Sequence, residues 1–384
     1  MFKVAVGHSN DPDSDFAIAE VLEQCQITLA GDVPTAGILF AAIDFEHSLI
    51  LQEINRTFPQ IELIGCTTDA EMSSVLEFEQ DSVTLMLFCS DEVEIRAGIG
   101  RGLSKDAVTA TKQAVEQAQA KSNLKSYQLC LTTPESLTAD GVLIVDGLKQ
   151  ALGDNFPILG GLAGDQMRFS QTYQFFNTEI LSDSVPILLF SGKLLFSHGV
   201  ANGWHPIGRK AVVTKADKGI LYEIDHKPAL DFYDDYIGGL TPSPEYPLAI
   251  LDPQANEFYT RAPHDCDRKI KSVYYLAQVP EQTVVQIAQA SREDILAAAK
   301  TSITKALESY PGTEPQAVLF FSCAARRQLL GTRIKEEYQL TKTSLSQALP
   351  CSGFYTHGEI SPLKIGTSSR LHHDTFVTLL LGVS

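Results

Sequence analysis

Three segments of this chain are written in the same order, and that repetition restricts the fold more than any other feature. IELIGCTTDAEMSS (61–74) is followed by DSVTLMLF (81–88), FPILGGLAGDQMRFS (156–170) by DSVPILLF (183–190), and LPCSGFYTHGEISP (349–362) by HDTFVTLLL (373–381). Each block has a short apolar approach, one or two glycines, a small-residue turn, an acid and an Asp-led apolar strand. Apolar runs precede them at 36–43, 127–133 and 317–323, with helix-like stretches near 49–57, 140–152 and 335–349. The repeated unit is strand, helix, strand, Gly–acid turn, strand, and such a repeat decides the architecture. The expected fold class is α/β, with repeated strand–helix–strand units forming mixed sheets covered by helices.

Residues 103–121 carry helical periodicity, with Ser104 as the expected N-cap. The texture changes over roughly 211–300. KPALDFYDDYIGGL suggests a short helix ending in a Gly pair, TPSPEYP a loop, and YPLAILD, EFYTRAP, SVYYLAQV and TVVQIAQA short antiparallel strands. We therefore expect an α+β insert that the third repeat copy closes. The expected division is 1–210, with two copies, and 211–384, with the insert and the third copy.

A net charge of −17 over 384 residues argues against nucleic acid and an anionic membrane surface, because both need clustered Lys and Arg. No apolar run is long enough for a membrane span, and the N-terminus turns polar too soon for a signal peptide. Seven cysteines, odd in number and without a CxxC pair, imply reduced, mostly buried thiols in the cytoplasm. No His/Cys cluster has the spacing of a zinc site.

FSHGVANGWHPIGRK (196–210) holds the only tryptophan, Trp204, between His198 and His205. It occupies the place held by AGIGRG in the first copy, and a plain turn has no need of a large aromatic. The turn acids Glu71, Asp165 and Glu359 are set in matching places. They either bind a ligand's amine or hydroxyl, or accept backbone N–H bonds within their own turns; repetition in three copies favours the second. Cys323 precedes Arg326 and Arg327, cations that would favour a thiolate, although no partner at fixed spacing supports nucleophilic catalysis. Arg326 is a candidate anion contact. The glycine motifs lack the full GxGxxG or GxxxxGK[ST] pattern of nucleotide sites.

GCTTDAEM, GGLAGD, GWHPIG with AVVTKADKGILYEIDHKPALDFYDDY, FFSCAARR and GFYTHGEISP with LHHDTF together resemble the FIST-domain proteins, a sensory family in which a FIST N part precedes a FIST C part. Two departures stand out: Thr67-Thr68-Asp69-Ala70-Glu71 where the family has GCSxAGE, and His373 where it has Asn. The resemblance implies a cytosolic small-ligand sensor that is not an enzyme. The CTTD form is similar to a bacterial subgroup that binds haem, senses nitric oxide and acts on a partner sensor histidine kinase. Haem needs an axial donor, an apolar slot and cations for its propionates. Phe196, Trp204, Arg209 and Lys210 supply the last two in kind. The candidate axial ligands are His198, His205, His357 and His372, of which one or two would serve. The remaining candidate ligand contacts are Gly160, Gly161, Asp165, Gly203, Trp204, Arg326 and Glu359. The alternatives are a haem-free binding module for an amino acid or similar metabolite, and a Cys-dependent enzyme using Cys323.

Overall fold

A computed structural model describes residues 1–124, 126–252 and 257–384. The first copy runs β1 (Phe2–Ser9), α1 (Ser14–Leu29), β2 (Ala36–Ala42), α2 (His47–Thr57), β3 (Glu62–Thr68), the hairpin β4 (Ala70–Ser73) and β5 (Glu77–Glu79), and β6 (Val83–Ser90). The second runs β7 (Val93–Arg101), α3 (Ala107–Lys121), β8 (Tyr127–Thr132), α4 (Gly141–Leu152), β9 (Ile158–Gly161), the hairpin β10 (Gln174–Phe176) and β11 (Glu179–Leu181), and β12 (Ser184–Gly192). The third opens with β13 (Leu195–Ala201). An insert follows: β14 (His205–Asp217), β15 (Ile220–Ile224), β16 (Lys227–Pro228), α5 (Ala229–Ile237), β17 (Leu248–Asp252), β18 (Glu257–Arg261), β19 (Pro263–Asp267), β20 (Ser272–Tyr275) and β21 (Val284–Gln289). The copy resumes with α6 (Arg292–Glu308), β22 (Ala317–Cys323), α7 (Ala324–Leu330), α8 (Ile334–Lys342), β23 (Cys351–Thr356), the hairpin β24 (Glu359–Pro362) and β25 (Ser369–His372), and β26 (Phe376–Gly382).

The expected α/β class with mixed sheets is what forms. Each copy builds the same four strands, in the orders β1-β6-β2-β3, β7-β12-β8-β9 and β13-β26-β22-β23, with only the last two of each parallel. The repeated unit is longer than the sequence suggested, because a leading strand and helix belong to every copy. Each sheet is then completed by a hairpin from a different copy. β10–β11 of the second extends the first sheet, β24–β25 of the third extends the second, and β4–β5 of the first extends the third. The exchange is cyclic, so the three copies close around a pseudo-threefold axis. The inner faces meet in one apolar core containing Phe40, Phe88, Leu159, Phe190, Phe321 and Leu379.

One glycine per copy makes the parallel pair possible. A Cβ on Gly65, Gly160 or Gly353 would lie 2.0, 1.9 or 2.4 Å from the carbonyl oxygen of Leu39, Thr132 or Phe320 across the pair. The AGIGRG segment, expected as a turn, is the end of strand β7. Gly98 and Gly100 there, like Gly199 in β13, let a helix carbonyl approach the strand closely. Helix α3 is capped by Asp106, whose side chain accepts from Thr109 N at 3.0 Å. Ser104, the expected cap, is bonded instead to Asp183 at 2.7 Å. The insert is an antiparallel sheet with α5 against it, its helix ending at a left-handed Gly238.

Candidate functional site

Counting from the shared glycines puts the turn after β3, β9 and β23 in register. Asp69 lies four residues after Gly65, His357 four after Gly353, and Asp165 five after Gly160. These three residues, rather than Glu71, Asp165 and Glu359, are the equivalent set. Glu71 and Glu359 are on the exchanged hairpins, opposite Phe354 and Gly161; the matching residue opposite Cys66 is Gln174. All three hairpin residues have one task. Glu71 accepts from Ser82, Gln174 from Ser184, and Glu359 from Thr375, each hydroxyl following an aspartate of positive φ: Asp81, Asp183 or Asp374. Burial pushes the Glu71 carboxyl up to about 8 and Glu359 well above the usual carboxylate range, which favours the neutral acid at both positions.

The turns bring Asp69, Asp165 and His357 together on the axis. His357 Nε2 lies 3.4 Å from Asp69 Oδ2 and 3.6 Å from Asp165 Oδ1, with all three residues buried. The other imidazole nitrogen is 3.0 Å from Ser136 Oγ, and Phe169 stacks on the ring with centroids 5.0 Å apart. Burial alone would lower the His357 pKa; the nearby carboxylates, Asp69 foremost and then Asp165, outweigh it and hold it above the ordinary histidine value. Asp165 also accepts from the N–H groups of Phe169, Ser170 and Gln171, which fixes its loop. Asp69 was missing from the residues the sequence singled out. Superposing GCTTDAE on GFYTHGE would have set it against His357.

His357 of this cluster lines a cleft of about 730 Å³, while Asp69 and Asp165 are wholly buried beside it. Phe78, Met167, Phe169 and Ile334 give it apolar walls, Arg327 and Gln328 polar ones, and the insert roofs it with Pro244, His264 and Leu276. Cys323 also lines it, but burial, with Glu359 and Asp374 adding to it, pushes that thiol well above its ordinary pKa. The expected lowering by arginine is absent because Arg326 is committed elsewhere. Fully buried, it directs its donors to Glu337 and to the carbonyls of Asn202, Ile295 and Asp374, leaving none for an anion.

The other expected ligand contacts are dispersed. Gly160 and Gly161 lie in β9, where an added Cβ would meet Thr132 and Thr356. Gly203 abuts the carbonyl of Asp294 at the start of α6. Trp204 is buried, its indole Nε1 unbonded, in a second cleft of about 520 Å³ with His205, Phe258, Lys305 and His372. His205 is exposed, 3.6 Å from Asp294. His372 is buried, with Nε2 on the Ser361 carbonyl at 2.9 Å and Nδ1 without a partner; burial pushes its pKa to about 3. His198, in β13, is pushed to about 4 by burial and lines neither cleft. Arg209 is paired with Asp225.

A threefold repeat of βαβαβ units with exchanged hairpins and a cleft beside the axis defines a closed, internally repeated α/β protein. The FIST N domain model matches residues 35–227 and the FIST C domain model residues 229–362, so the chain belongs to the FIST family, whose domains are small-ligand sensory modules of signal transduction. It is similar to the uncharacterized protein Rv0628c of Mycobacterium tuberculosis, 22% identical with 94% of this chain and 95% of that one covered. It is also similar to the uncharacterized protein MJ1623 of Methanocaldococcus jannaschii, 25% identical over 68% of this chain, which spans about half of that relative (52%).

The expectation that the chain is not an enzyme is corrected, because solved structures resembling its full length are named as enzymes. They are a cyanuric acid hydrolase from A. caulinodans (TM-score 0.41, 10% identity, 100% of this chain and 99% of that one) and a chorismatase (TM-score 0.38, 12% identity, 100% and 98%). Likeness that distant assigns neither reaction here. Among the described residues no helix is long and apolar enough to cross a membrane, and none of the seven cysteines is disulfide-bonded.

Proposed function

We propose that this protein is a cytoplasmic small-ligand sensor whose ligand binds in the axis cleft. The observation that carries this is the convergence of Asp69, Asp165 and His357, one from each copy, at the point where His357 lines the roofed 730 Å³ space. Pockets of this size, mostly apolar with a few convergent polar groups, suit a metabolite-sized molecule. Its polar head meets His357 and its body packs against Phe78, Met167 and Phe169. Because the walls come from the first and second copies, the third copy and the insert, occupancy bears on elements from both family domains at once. A separate partner, a sensor histidine kinase on the family resemblance, would read that change. Thermal shift of the full chain against a panel of amino acids and related metabolites tests the reading. A ligand of the folded state raises Tm in step with RT ln(1 + [L]/Kd), and Phe169→Ala should weaken that response at least tenfold. Stabilisation that survives F169A undiminished would locate the ligand elsewhere.

A second reading, haem with nitric oxide as its ligand, is favoured by the Trp204 cleft. The donors there fit in kind: His372 keeps a neutral imidazole with an unpartnered Nδ1, beside an indole, Phe258 and the Lys305 ammonium. Bound there, haem would supply the iron that takes the gas. Absorbance after adding hemin tests it: a Soret band lost in His372→Gln supports the reading, and a folded chain with no such band removes it.

A further inference from the structure

Two polar atoms where the three turns meet, one of them on the cleft-lining His357, have nothing bonded to them, in side chains buried beyond nine-tenths. Asp69 Oδ2 and His357 Nε2 lack hydrogen-bond partners, and their residues are 0% and 5% exposed. They face each other at 3.4 Å, with Asp165 Oδ1 3.6 Å from the same nitrogen. Charge-assisted N–H···O bonds close to about 2.7–2.9 Å, so these gaps are within ion-pair reach but wide for direct hydrogen bonds. They match another geometry. Zinc bonds of about 2.0–2.2 Å to nitrogen and oxygen, arranged tetrahedrally, set neighbouring donors about 3.3–3.6 Å apart. The three donor atoms lie within 4.8 Å of one another.

Each donor is held by a further contact, as metal ligands commonly are. His357 Nδ1 is 3.0 Å from Ser136 Oγ, Asp69 Oδ1 accepts from Met167 N at 2.8 Å, and Asp165 Oδ2 accepts from Ser170 N at 2.7 Å. We infer that Asp69, Asp165 and His357 form a divalent-cation site of zinc type, its fourth position open to the cleft for an anionic oxygen of the ligand, such as a carboxylate. Two carboxylates balance the ion's charge. Arg327, whose Nη1 donates to the Asp69 carbonyl, lines the same cleft and favours an anion there. The inference rests on reading the axis cleft as the ligand site.

The test uses the full chain stripped with a chelator. It is titrated with zinc alone by calorimetry and with cobalt(II) by visible absorption. One ion per chain and the intense d–d band of a tetrahedral cobalt site are expected. Binding should fall at least tenfold in Asp69→Asn and His357→Gln, and stay unchanged in His226→Asn, a surface control. The cobalt spectrum of the unaltered chain needs no variant to fold. No stoichiometric binding, no tetrahedral band, or equal affinity in a folded D69N would each overturn the site. If a metabolite still stabilises the chain while no metal binds, the cation falls and the cleft reading stands. If zinc binds at one equivalent and is lost in D69N, the cation stands whatever the metabolite screen returns.

Discussion

Glu71, Gln174 and Glu359 are one position written three times, and the middle copy has already made the neutral substitution. Gln174 does with an amide what Glu71 does with a protonated acid, accepting from the hydroxyl of the following strand. Because the folded pKa of Glu71 is about 8 against an ordinary 4.5, the native state holds a proton that the unfolded chain releases between those values. Stability from this group is therefore full below about pH 4.5 and lost as pH rises towards 8, by up to a few kcal/mol. Glu359, raised likewise, acts in the same direction. E71Q should leave stability nearly unchanged at pH 5, raise it at pH 8, and flatten the pH dependence of the urea midpoint; an unaltered slope would contradict the assignment. Arg326 presents the opposite case, a buried guanidinium paired with a buried carboxylate, Glu337, at 2.7 Å. R326M leaves that carboxylate uncompensated and should cost about 3–5 kcal/mol, largely recovered in R326M/E337M, measured by denaturant unfolding. Sequence spacing had set Glu71 and Glu359 beside Asp165. Only the strand register separates them, because hairpin and turn acids lie two residues apart and look alike in a string.

At the scale of elements, the apolar runs and the helices were legible because a strand buried on both faces reads as a continuous hydrophobic stretch. Strands β2, β8 and β22 fall on the expected runs, and α2 and α4 on the expected helices. The expected helix at 335–349 stops at Lys342. The sheet partners were not legible, since β4 pairs with β23 and the residues between them fill most of the chain. The glycines of the motif were visible, and their reason was not: they admit a neighbouring strand. Gly65 faces the Leu39 carbonyl so closely that an added methyl would lie 2.0 Å from its oxygen. G65A forces backbone apart in a closed sheet and should destabilise by at least about 2 kcal/mol. The same change at Gly102, in a turn with nothing near its Cβ position, should cost less than G65A. Equal losses in thermal unfolding would refute the packing account.

The whole molecule is closed by exchange, and that has a consequence for dividing it. β13 gains its partner β26 only from the C-terminal part, β9 gains β24 from it, and β4–β5 leave the first copy to pair with β23. A fragment of residues 1–203 keeps the strands of two copies but exposes unpaired edges on β4, β9 and β13, and unpaired edges invite association rather than stable folding. It also uncovers the apolar face that Phe321, Phe354 and Leu379 cover, including the Phe40–Phe354 contact with ring centroids 4.5 Å apart. The full chain should therefore unfold in one transition, although two family models divide it near residue 228. The fragment 1–203 should show no cooperative melt and little near-ultraviolet circular dichroism. Mixing it with 204–384 should restore both, because complementation returns every missing strand. The axis cleft needs turns from all three copies, so the mixture, and neither half, should also regain the ligand response. A fragment 1–203 that melts cooperatively alone would mean that the exchanged strands decorate the sheets rather than close them.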